Sequence, residues 1–84
     1  MNKNKWYVTI ANFNGMSKTN SDDNFFENKE SALWYFRLAK WQLENQLREK
    51  YGTSWQKEED SDTWYATYGN HLSTSIHMRD YKIS

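Results

Sequence analysis

The stretch from Asn28 to Gly52 constrains this chain more than any other. Asn28 suits a helix N-cap, Glu30 suits the positive first turn, and Gly52 stands where a left-handed C-cap is expected. Between them Ala32, Phe36, Ala39, Leu43 and Leu47 keep the i, i+4, i+7 spacing of a core-facing stripe. The spacing predicts one continuous helix over at least residues 31–50, about 30 Å long at helical rise. Such a helix needs a second layer to cover its stripe, and the flanking sequence offers strands.

Trp6, Val8 and Ile10 alternate with polar or aromatic neighbours, the period-two pattern of a strand with one buried face. The segment from Asn14 to Asn24 is rich in Gly, Ser, Asn and Asp and reads as a loop. Phe25-Phe26 is then either a short strand or a pin holding that loop to the core. After Gly52 the period returns to two. Residues 53–58 form a strand candidate carrying Trp55, Glu59-Asp60-Ser61-Asp62 a turn, and Thr63 to Tyr68 a second strand. Gly69-Asn70 signals a hairpin, and His71 to Arg79 follow as a third strand. The expected fold is α+β: one long helix packed on a small antiparallel sheet, in the order β-(β)-α-β-β-β, as a single domain over residues 1–84. In the last hairpin a three-residue loop with Asn70 left-handed puts Leu72 and Ile76 on the face of Trp64 and Ala66, which unites the apolar residues. Phe36, Leu43, Leu47, Ile10, Val8 and Ile76 are the expected buried core.

Eighty-four residues bury only about 60% of the unfolded surface, so the core must be compact. Hydrophobic residues are scarce at 37%, whereas aromatics reach 18%. Five Trp, six Tyr and four Phe are more than so small a domain hides, and exposed Trp and Tyr anchor binding sites. With no Cys, disulfides and thiolate metal sites are excluded. The basic start Met1-Asn2-Lys3-Asn4-Lys5 is followed by no apolar run of signal-peptide or membrane-span length, which points to the cytoplasm and to no membrane partner. A formal net charge of zero argues against direct nucleic-acid binding.

Trp34, Leu38 and Trp41 form a second stripe, roughly opposite the first. Arg37, Asn45 and Arg48 flank it, so it is apolar with a polar rim, as interfaces are. It binds a foreign protein, makes a homodimer of two helices face to face, or is covered by the loop from Asn14 to Asn24 or by Phe25-Phe26. Glu58, Glu59, Asp60 and Asp62 form an acidic cluster, either a solvated turn or a patch for a basic groove such as the channel of a nucleic-acid-binding host protein. His71 and His77 stand about 20 Å apart on a strand, too far to share a metal. A base-stacking face built from Tyr7, Trp55 and Tyr65, with Lys57, Arg79 and Lys82 beside it, is the alternative reading, and the acidic turn opposes it. There is no HExxH, Walker, GxSxG or GxGxxG motif, so no catalytic residue, metal or cofactor is assigned and no enzyme is expected.

In overall character the chain resembles the small proteins of bacteriophages and mobile elements, anti-CRISPR inhibitors among them. The resemblance rests on brevity, abundant Asn, Lys and Trp, the absence of Cys and Pro, a Met1 start without a signal, and an acidic patch beside exposed aromatics. It implies an inhibitor or modulator that occludes a surface of a larger host protein. It transfers no individual residue.

Overall fold

The computed structural model describes residues 3–83, with side chains from residue 5 to residue 81. Met1, Asn2 and the side chain of Lys82 therefore lie outside the described residues. The elements are β1 (Lys3–Asn14), β2 (Ser17–Phe26), α1 (Lys29–Tyr51), β3 (Trp55–Glu59), β4 (Thr63–Tyr68) and β5 (Leu72–Ile83). All strands pair antiparallel in one sheet ordered β2-β1-β5-β4-β3, and α1 lies on one of its faces. This is the expected α+β class and element order.

The helix forms where its caps direct. Asn28 is extended, and its side chain accepts a 2.9 Å bond from the Ser31 amide. At the other end Gly52 takes φ 64° and donates to the Arg48 carbonyl at 2.9 Å. Ala32, Phe36, Ala39 and Leu47 face the sheet, where they meet Val8, Trp64, Ala66, Ile76 and Met78. The two alanines let the helix axis come close, and Trp64 fills the centre with no exposed surface. Its indole N–H is satisfied by Glu44 Oε2 at 3.0 Å.

Three expectations are corrected. The segment from Asn14 to Asn24 is not a loop. Only Gly15-Met16 turns, with positive φ at Gly15 alone, and Ser17–Phe26 runs as a ten-residue edge strand. Residues 17–23 are polar and exposed, because α1 meets this strand only at its end, through Phe26 on Tyr35. Its pairing rests on backbone bonds and cross-strand contacts such as Thr9 Oγ1 to Asp23 (2.7 Å) and Asn12 Nδ2 to Asn20 (2.6 Å). Charged residues on an exposed edge also discourage stray pairing. Second, Leu43 and Ile10 are half-buried, because they line an open groove between α1 and β1. Third, the last hairpin does have its three-residue loop and places Trp64 opposite Ile76, but the left-handed residues are Gly69 and His71, not Asn70. Gly69 takes φ 58° without a Cβ penalty and starts the turn one residue earlier.

Candidate functional site: the outer face of the helix

The covered stripe fixes the rotation of α1 and so decides what faces outward. Trp34 remains 65% exposed and Trp41 62%, with Leu38 half-buried between them and Arg37 exposed beside them. Among the described residues nothing folds over the two Trp rings. The β1–β2 hairpin, which could have done so as a loop, extends along the sheet instead.

The apolar surface is wider than the stripe. Phe26 packs on Tyr35 with ring centroids 5.3 Å apart, and Phe26 lines a shallow depression with Trp34. On the same side Leu38 joins Tyr35, Leu43 and Ile10 along a groove of ≈ 150 Å³. Phe26 and Tyr35 were not singled out by periodicity. The doubled Phe25-Phe26 was the only signal, because one of two adjacent strand residues must face the helix side.

The acidic cluster is not one patch. Glu58 and Glu59 alternate to opposite faces of β3. Glu59 bonds Lys40 at 2.9 Å and Lys57 at 3.2 Å, and these cations, Lys40 first, hold its carboxyl below the usual range. Lys57 also meets Glu44 at 3.0 Å, which with Glu59 pushes its ammonium pKa up against the opposing effect of burial. Asp60 and Asp62 turn toward the helix and line a depression of ≈ 380 Å³ with Lys29, Arg37 and Lys40. Arg37, three residues from Trp34 and four from Trp41 on the helix, thus lies between the Trp stripe and the depression that holds Asp60 and Asp62. Glu58 stands apart from it.

The uncovered sheet face does not assemble the base-stacking platform. Trp55 lies on the helix side, its indole donating to the Gly52 carbonyl at 3.0 Å, while Tyr65 points to the open side opposite Glu58. Tyr7 packs instead with Phe25 and Tyr81 at centroid distances of 5.9 and 5.8 Å. Lys57 is engaged by its two carboxylates, which leaves Arg79 as the described cation of the proposed set. His71 sits in the hairpin turn, and His77 faces the open side with Nδ1 buried and unbonded. Burial, with Arg79 adding to it and Asp62 opposing, holds the His77 imidazole below its ordinary pKa.

Among the described residues no three His, Asp or Glu side chains are grouped to hold a metal ion, and no helix is long and apolar enough to cross a membrane. No protein-family model, no curated protein and no solved structure matches the chain.

Proposed function

We propose that this protein is a non-catalytic protein-binding module that occludes a surface of a larger partner through the outer face of α1. The observation that carries the reading is the exposure of Trp34 and Trp41, 65% and 62%, on a rigid helix whose opposite face is locked into the core. Large aromatics on a preorganised element lose little entropy on binding and concentrate its energy. Leu38 and Arg37 complete the contact, with Asp60 and Asp62 at its edge. Glu58 and Glu59 are secondary, since Glu59 already has its cations. Together with the small, Cys-free character of the chain, this supports an inhibitor or modulator of a host protein in the cytoplasm, of the kind bacteriophages encode against nucleic-acid-binding defence proteins.

The test is affinity capture from a bacterial host lysate with the wild-type chain and with Trp34→Ala/Trp41→Ala, read by quantitative mass spectrometry. A protein enriched by the wild type and lost with the folded variant supports the reading. Equal capture by both chains, or steep salt-sensitive binding to single-stranded oligonucleotides instead, refutes it.

A further inference from the structure

The outer face of α1 also matches itself. Trp34, Leu38, Trp41, Asn45 and Arg48 are separated by alternate steps of four and three residues, the seam along which two helices pair. We infer that a second copy of this chain is an occupant of this face, with the two α1 helices antiparallel about a twofold axis passing Leu38; the inference rests on the face being a binding surface.

The level of each residue follows from the helical rise. Trp34 lies about 6 Å to one side of Leu38 and Trp41 about 4.5 Å to the other, at 1.5 Å per residue. The twofold therefore sets Trp34 against the partner's Trp41, and Trp41 against the partner's Trp34, with the two Leu38 side chains between. Ser31 and Asn45 both stand about 10.5 Å from Leu38, on opposite sides, so each meets the other residue type across the seam. Charge selects the same direction. Glu30 lies in the first turn of the helix and Arg48 in its last. Arg48, about 15 Å from Leu38, comes within about 3 Å of the level of the partner's Glu30, which stands about 12 Å from the axis. Parallel pairing would set like charges together and align the helix dipoles unfavourably. Lys29, the cation at the acidic end, is turned over the Trp6 ring at 5.5 Å, away from the seam. Arg37 approaches its own copy near the axis, and Asp60 and Asp62, which share its depression, offset that charge.

The two Trp rings expose roughly 300 Å² per copy, against about 800 Å² per partner in a standard interface. The dimer is accordingly weak and concentration-dependent. It covers the residues that would engage a larger protein, so self-association and partner binding exclude each other.

Sedimentation equilibrium of the full chain over a concentration series reads this directly. A reversible monomer–dimer equilibrium is expected, weakened about tenfold by Arg48→Glu and regained when Glu30→Arg is added. Trp34→Ala/Trp41→Ala should abolish it while a thermal melt confirms the fold. The chain has no cysteine, so Leu38→Cys should form an intermolecular disulfide and Ser31→Cys should not. A monomer at every concentration, a dimer that survives loss of both Trp rings, or a Ser31→Cys crosslink as fast as that of Leu38→Cys overturns the inference. A monomeric chain that still captures a larger protein in a Trp-dependent way would overturn the dimer alone.

Discussion

Glu44 is a half-buried carboxylate that ties the helix to two strands, and its removal gives a sharp energetic test. One oxygen accepts from Trp64 Nε1 at 3.0 Å and from Lys57 Nζ at 3.0 Å. Trp64 is fully buried, so an alanine at position 44 leaves its indole N–H without a protein acceptor. An unsatisfied buried donor costs roughly 1–3 kcal/mol, and a bond to a charged acceptor sits in the upper part of that range. The Lys57 pair adds at most a few tenths, because Lys57 is well exposed to solvent. Glu44→Ala should therefore lose about 2 kcal/mol, a large fraction of the roughly 4–12 kcal/mol expected for a chain of this length. For a domain this size that corresponds to a fall in Tm of about 8–16 °C. Glu44→Gln keeps an acceptor and should lose less than about half as much. The assay is urea unfolding followed by far-ultraviolet circular dichroism, with Trp64→Phe in both backgrounds to close a double-mutant cycle. If Glu44→Ala is no worse than Glu44→Gln, or if the loss is the same when Trp64→Phe is present, the indole bond does not carry the effect.

Other substitutions separate core from surface on the same helix. Phe36→Ala should cost roughly 3–5 kcal/mol, while Leu43→Ala, at the half-buried flank, should cost only about 1–2; equal losses in chemical unfolding would place the two residues in one environment. The lowered pKa of Glu59 means that its stabilising pairs are fully present above the ordinary carboxylate value of 4.5 and are lost as the pH falls through the depressed folded value. Glu59→Gln should flatten that acid limb of a Tm-against-pH curve. His77 has the same linkage sign, since its depressed pKa likewise makes the unfolded chain bind the proton more readily, here because burial favours the neutral ring. Stability should rise with pH up to the ordinary imidazole value of 6.5, and a His77→Gln curve as steep as the wild type would remove His77 as the cause. Neutralising Asp60 and Asp62 to Asn should slow association with a basic partner and leave Tm nearly unchanged, as stopped-flow binding at two salt concentrations would show.

The helix was legible because several local signals agreed on it: Asn28, Glu30, the Ala32–Leu47 stripe and Gly52. β4 was legible because Trp64 and Ala66 alternate with Thr and Tyr, and the buried register with Ile76 follows once the apolar residues share a face. β2 was not, because apart from Phe26 its side chains bury almost nothing; its strand character comes from backbone pairing with β1, which leaves no mark in hydropathy. The burial of Leu43 was overestimated because helical period tells which way a residue points but not how far the layer beneath extends. The outward aim of Trp34 and Trp41 followed from geometry alone, since a helix can give only one face to one sheet. The breakup of the acidic cluster did not, because Lys40, the strongest partner of Glu59, lies nineteen residues away on another element.

The central claim is that Trp34 and Trp41 carry partner binding without carrying the fold. It is tested most directly by calorimetric titration of the captured partner with the wild type, Trp34→Ala, Leu38→Ala, Trp41→Ala and the double Trp variant. The account predicts that at least one Trp truncation weakens binding about thirtyfold, the signature of a hot spot near 2 kcal/mol, with Tm unchanged. Affinities within about twofold of the wild type for every variant would show that the partner binds elsewhere.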